Sequence, residues 1–263
     1  MIIDSHTHVW PDALADRALA GVLPDIKRHG DGTTDGLTSA MDRAGIDRSV
    51  CLAVASSAKH VEAANRFAAS LDAARFIGFG ALHPELTPEA IVASLTNNNL
   101  KGVKIHPLFQ GIDLADPRLS PILDALQGEF VVTVHVGAGG ESDAANALCT
   151  PDKVLQLIRR FPRLELIACH FGGYRLLDQA QDLLIGQPIH LDTAWPPTLG
   201  VLDAALVRNI VNRHGPDRIV FGSDWPMADP ETEVSVIERL GLASNDVDAI
   251  IGGNLRRLLG LAR

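Results

Sequence analysis

Residues 130–173 read FVVTVHVGAGGESDAANALCTPDKVLQLIRRFPRLELIACHFGG. The stretch holds two short apolar runs, FVVTVHVG from Phe130 and LELIACHFGG from Leu164, and each closes on glycine. Runs of this length, rich in Val, Ile, Leu and Phe, are what strands buried on both faces look like. Between them PDKVLQLIRR, after Thr150, places its apolar residues at helical spacing. Thr150-Pro151-Asp152 offers that helix an N-cap, a proline at its first position and an early acid. A strand, a helix and a second strand in succession imply a crossover connection, and so parallel pairing.

The same unit recurs on both sides. Working outward, the apolar runs are MIIDSH at the start, SVCLAVAS from Ser49, FIGFGAL from Phe76, KGVKIHP from Lys101, PIHLDTA from Pro188 and RIVFGSDWP from Arg218. With the two runs above, that makes eight candidate strands. Helical segments alternate with them, such as HVEAANRFAASLDAA after Lys59 and the segment opened by Thr87-Pro88-Glu89. Eight such units predict an α/β chain folded as a single (β/α)8 TIM barrel domain over residues 1–263, close to the roughly 250 residues that barrel needs. The structural rival, an open doubly wound sheet, would place a glycine-rich turn after its first strand; here SHTHVW fills that place. The least patterned stretch, Trp10 to about Asp35, follows strand 1 and is expected to be a loop, with part of it a short helix, covering the catalytic end.

Composition narrows the classes. With 46% hydrophobic and 21% charged residues the chain can bury a large core and carries no signature of disorder. A formal charge of -9 without a clustered Lys/Arg run excludes a nucleic-acid surface and a polybasic membrane anchor, which leaves small-molecule or metal partners. Cys51, Cys149 and Cys169 are too scattered for a disulfide framework or a structural zinc site, so a reducing cytoplasm is expected and the cysteines read as core residues. No basic leader and no run of about 20 apolar residues points to a signal or a membrane span.

The chemistry sits at the ends of the runs. His6 and His8 are two apart on strand 1, so their side chains share a face and can converge on one ion. Alone the pair is weak, because ten histidines yield roughly 0.4 His-x-His pairs by chance. Its position changes that: it closes the first strand, at the end where barrel enzymes carry their chemistry. His106, His135, His170 and Asp224 close strands 4, 5, 6 and 8, and imidazoles with a carboxylate suit zinc, manganese or iron with a position left for water.

The chain resembles the amidohydrolase superfamily, in particular the amidohydrolase-2 branch of metal-dependent hydrolases and nonoxidative decarboxylases. The residues that carry the resemblance are IIDSHTHVW, KGVKIHP, VVTVHVG, LIACHFGG, LDTAW, RIVFGSDWP and the closing IGGNLRRLLGL. The resemblance implies a metal shell of His6, His8, His135 and Asp224, with His170 a second-metal ligand or an acid/base. It implies a divalent cofactor, zinc ahead of manganese or iron and one ion rather than two, and a homodimer. Hydrolysis of an amide, lactone or ester of a small, cyclic or aromatic carboxylate follows: Asp224 takes a proton from the activated water and His170 polarises the carbonyl or shuttles protons. Decarboxylation uses the same shell and stands as the alternative. A non-enzymatic barrel acting as a binding module is the alternative of another class; its mark would be a lost ligand, and no position is lost.

Each of these residues also has a plainer reading. His6 and His8 could be a buried hydrogen-bonded pair, and His106 an HP punctuation of its strand. Lys104, two before His106, is a substrate cation, a carboxylated bridge between two metals, or a buried lysine paired with an acid such as Asp192. Trp10, Trp195 and Trp225 fall just past strand ends and either line the pocket or pack its rim. His83 reads as a turn residue, and His29, His60 and His214 as structural, His214-Gly215 closing a helix. Cys169, adjacent to His170, is expected on the opposite face.

Overall fold

A computed structural model describes residues 1–20, 26–140 and 142–262. The apolar runs become strands β1 (Ile3–Thr7), β2 (Arg48–Leu52), β3 (Phe76–Ala81), β4 (Gly102–Ile105), β5 (Val131–Val134), β6 (Leu166–Ala168), β7 (His190–Asp192) and β8 (Ile219–Val220). They form one sheet in sequence order, and the registers given for β1/β2 and for β3 through β7 are all parallel. With helices between them this is the (β/α)8 TIM barrel fold that the alternation implied. No helix among the described residues is long and apolar enough to cross a membrane.

Residues cluster into two compact units. One comprises Met1–Cys51, Asp72–Ile77 and Asp192–Arg263; the other comprises Leu52–Leu71 and Gly78–Leu191. Within the first, β1 and the chain around β8 are tied by backbone bonds: Ser5 N donates to Phe221 O (2.7 Å), Asp224 N to His6 O (2.8 Å) and His8 N to Trp225 O (2.8 Å). The two segments approach so closely that a Cβ on Gly222 would stand 2.9 Å from the His6 Cβ, which explains the glycine. The expected loop after Trp10 contains the helix Asp12–Leu19, while residues 21–25 lie outside the described part.

Within the second unit, β4, β5 and β6 pair in strict register, Lys104↔Thr133↔Ile167. Val103, Ile105, Val132, Val134 and Leu166 are buried at 1% exposure or less, as two-sided burial requires. The two helix starts read from sequence exist. Thr87 caps the helix Pro88–Asn97 by accepting from Ala90 N at 3.2 Å, whereas Thr150, ahead of Pro151–Arg160, occupies the cap position without a side-chain bond.

Candidate active site

The strands stop earlier than the sequence suggests. β4, β5 and β6 end at Ile105, Val134 and Ala168, so His106 and His135 sit one residue past their strands and His170 two past its own. Asp224 lies four past β8. The chain has left the strand at the last two: His170 (φ 62) and Asp224 (φ 65) are both left-handed. A non-glycine residue in that region costs on the order of 1 kcal/mol and persists where its surroundings dictate it, as they do at functional sites.

In the first unit, three ligand-type atoms converge. His6 Nε2 lies 3.2 Å from His8 Nε2 and 3.2 Å from Asp224 Oδ1, and His8 Nε2 lies 3.6 Å from the same oxygen. The other nitrogen of His6, Nδ1, is 2.7 Å from Asp192 Oδ2, and both groups are buried. A carboxylate only accepts, so Nδ1 carries a proton and donates to Asp192, which leaves Nε2 as the nitrogen of His6 that can ligate an ion. Atoms bound at about 2.1 Å around a tetrahedral ion stand about 3.4 Å apart. The observed triangle of two imidazole nitrogens and a carboxylate oxygen therefore fits a divalent ion, with Asp192 behind His6 in the supporting position that ligating histidines ordinarily have.

Asp4 and Ser223 brace this cluster, and the sequence reading missed both. Asp4 Oδ1 accepts from His6 N (3.0 Å) and Ser223 N (3.0 Å), while Oδ2 accepts from Ser223 Oγ (2.6 Å). Ser223 Oγ in turn accepts from Trp225 N (3.0 Å), fixing the turn that carries Asp224. Burial pushes the Asp4 carboxyl up to about 7, against the pull of its bonds from Ser223 and His6. The available signal was spacing: Asp4, His6 and His8 alternate on one strand face.

In the second unit the imidazoles form a chain of contacts. His106 and His135 stack nearly parallel, with centroids 4.2 Å apart and planes at 8°, and His135 Nδ1 lies 2.9 Å from His170 Nε2. His106 also has a structural role beyond the strand punctuation expected of it: Nδ1 accepts from Phe109 N at 3.3 Å and caps the short helix Pro107–Gln110. Gln110 secures that turn, accepting from His106 N and donating to Ala55 O and Leu82 O. Lys104 is fully buried, and its Nζ donates to Cys169 Sγ at 3.0 Å.

The tryptophans differ among themselves. Trp10 is partly exposed and stacks on His8, with centroids 6.0 Å apart and planes at 19°. Trp195 is 7% exposed, and Trp225, at 2%, is packed against Gly30, where a Cβ would meet its indole at 2.4 Å. His83 Nδ1 accepts from Glu85 N in a turn, and His214 ends the helix Ala204–His214 in the core. Burial raises the Cys51 thiol to about 12 and the Cys149 thiol to about 11, so both stay protonated as core residues.

A family model described as amidohydrolase (Amidohydro_2) matches residues 3–261. The chain belongs to the amidohydrolase family. No curated protein matches this amidohydrolase in sequence. Solved structures do share its fold. The 5-carboxyvanillate decarboxylase of Sphingomonas paucimobilis superposes with a TM-score of 0.73 at 16% identity, covering 99% of each chain. A protein assigned as a 2-pyrone-4,6-dicarboxylic acid hydrolase, from Pseudomonas putida, gives 0.68 at 16% identity, covering 98% of this chain and 97% of its own. The dihydroxybenzoic acid decarboxylase of Polaromonas sp. JS666, solved with manganese and 2-nitroresorcinol, gives 0.74 at 18% identity and covers 100% and 97%.

Proposed function

We propose that this amidohydrolase is a metal-dependent hydrolase of a small, cyclic or aromatic carboxylate, cleaving an amide, lactone or ester bond. The observation that carries the reading is the triangle of His6 Nε2, His8 Nε2 and Asp224 Oδ1, with edges of 3.2 to 3.6 Å, oriented by Asp192. His6, His8 and Asp224 would hold a divalent ion there, which would supply a Lewis acid and bring the pKa of water from about 16 toward 7. The donor set of nitrogens and oxygen suits zinc and admits manganese or iron. Asp224 would be a ligand of that ion and, as general base, would accept the proton of the attacking water and return it to the leaving group.

His135 is assigned to the ligands by the family resemblance, through Nε2, since its Nδ1 faces His170. The same resemblance joins both sets of residues in one reaction. His170 polarises the carbonyl oxygen or carries the proton, and its left-handed backbone supports a positioned role. Lys104 and His106, with Trp10, Trp195 and Trp225, are proposed to receive the substrate.

Decarboxylation of an aromatic acid is the second reading, favoured by the two decarboxylases of the same fold, one of them holding manganese. The deciding experiment uses protein purified without chelator and analysed for metals. Lactones, cyclic amides and aromatic acids are then screened for acid release, carbon dioxide and uptake of oxygen-18 from water. One ion per chain and labelled acid are expected. Carbon dioxide without label replaces hydrolysis by decarboxylation, and full activity in chelator with no bound metal removes the metal from both.

A further inference from the structure

A cleft of about 420 Å³ opens in the first unit between residues 28–31 and the helix Thr34–Ala44. That volume lies within the roughly 300 to 1,000 Å³ of small-molecule sites. Its walls are fixed. His29 N and Gly30 N both donate to Pro226 O, at 2.8 and 3.3 Å, and Gly30 lies against the Trp225 indole, where a Cβ would collide. The second wall is Gly36, Ser39 and Arg43, spaced three and four apart on one helix face, while Leu37, Ala40 and Met41 of the same helix are buried. Thr33 caps that helix by accepting from Gly36 N at 3.0 Å.

The charge in the cleft is one-sided. Arg28, His29 and Arg43 line it and are exposed. Among the described residues neither the Arg28 guanidinium nor the His29 imidazole has a hydrogen-bond or ion-pair partner, and Arg43 gives one bond to its own helix, Nη1 to Ser39 O at 3.2 Å. The acid beside Arg43 in sequence, Asp42, is taken by Arg75 at 2.7 Å. Asp31 is the acid on the wall. Its Oδ1 accepts from Thr33 N and Thr33 Oγ1, both at 2.9 Å, and occupies the space that a side chain on Gly36 would need. Two guanidinium groups and an imidazole therefore share the cleft with one carboxylate that is already bonded, on a chain whose formal charge is -9. A positive cleft on an acidic protein draws an anion. Two arginine forks and an imidazole supply more donors than the two oxygens of a carboxylate use, whereas a phosphoryl group brings three strong acceptor oxygens and a larger charge.

We propose that this cleft is a binding site for a small, soluble phosphate monoester, separate from the cluster of His6, His8 and Asp224, none of which lines it. Arg28, His29 and Arg43 hold the phosphoryl group, and the remaining volume takes the organic part. Trp225, next to Asp224 in sequence, is the one lining residue that also belongs to the proposed substrate set.

The test is calorimetric titration of the protein, purified without chelator, with phenyl phosphate and with inorganic phosphate at constant ionic strength. One phenyl phosphate per chain is expected, bound more tightly than inorganic phosphate. Arg28→Gln and Arg43→Gln should each weaken it by about tenfold or more, the scale of a lost hydrogen bond to a charged group. Both side chains are exposed, so the melting temperature should not change. Ser39→Glu places a carboxylate on the same helix face, where the native hydroxyl bonds only to Asp35 O, and should abolish binding in a folded protein. Asp224→Asn should bind phenyl phosphate as wild type does. Binding that survives the three cleft substitutions overturns the proposal, and binding lost in Asp224→Asn does so too, by placing the anion at the ion cluster. A wild type that binds neither phosphate, or both equally, also overturns it. So does co-sedimentation with phosphatidic acid vesicles that Arg43→Gln abolishes, which would give the cleft to a lipid surface.

Discussion

His6 shows how one residue is given a single chemical state by its surroundings. Asp192, 2.7 Å from Nδ1, holds the proton there, and Nε2 is thereby turned into a ligand atom. Asp192→Asn removes the charge that enforces this tautomer while keeping the size of the side chain. Metal affinity is expected to fall about 10- to 100-fold, read by competition with a chromogenic chelator, with an unchanged circular dichroism spectrum. Undiminished affinity would mean that Asp192 does not set the state of His6. His170 gives the complementary case: His170→Asn should lower kcat about 10²- to 10⁴-fold, the ordinary scale of a lost acid/base, with one ion still bound per chain. Loss of the ion instead would make His170 a ligand. At this scale the sequence was informative wherever a polar residue closed an apolar run. It was silent on Asp4 and Ser223, whose bond at 2.6 Å joins residues near opposite ends of the chain. No local period encodes which strand end lies beside which.

Elements were legible for a related reason. A strand buried on both faces must be apolar throughout, so β3, β4 and β5 could be read within a residue or two from composition alone. Their ends were harder, because His170 and Asp224 continue past the ladder in left-handed turns that glycine-rich sequence permits without announcing. Glu233 shows what such reading leaves out. It lies on the helix Pro230–Glu238, is 1% exposed, and its Oε2 accepts from Leu199 N at 2.9 Å in the segment that follows β7 and Trp195. Burial raises its carboxyl from 4.5 to about 7, with Asp229 adding to the rise and the Thr198 hydroxyl and Leu199 amide opposing it. An acid whose pKa is raised on folding stabilises the fold fully below pH 4.5, and this stabilisation is lost as pH climbs through 7. The span corresponds to about 3 kcal/mol. Glu233→Gln should therefore flatten the decline in stability between pH 4.5 and 7 and gain on wild type at pH 8, both seen in urea midpoints. A slope identical to wild type would show that Glu233 does not titrate across that range.

At the scale of the molecule, the order of motifs carried more than any one of them, since eight strand ends in sequence specify where the chemistry gathers in this fold. The proposed ion is held by residues from the two ends of the chain, His6 and His8 from the first strand and Asp224 from beyond the last. The unfolded chain cannot bring these together without loop closure, so the ion binds the folded state and its free energy adds to folding. At a free-ion concentration 1,000 times the dissociation constant, that addition is about 4 kcal/mol. For a chain of this length each kcal/mol moves the melting temperature by roughly 2 to 4 °C, so stripping the metal should lower Tm by on the order of 10 °C. Returning zinc or manganese should restore it, while magnesium, which favours all-oxygen ligands, should restore little. Asp224→Asn, lacking one anionic ligand, should show a smaller shift from the same treatment. A melting curve indifferent to chelator in both proteins would mean that the His6, His8 and Asp224 cluster is held together by hydrogen bonds alone.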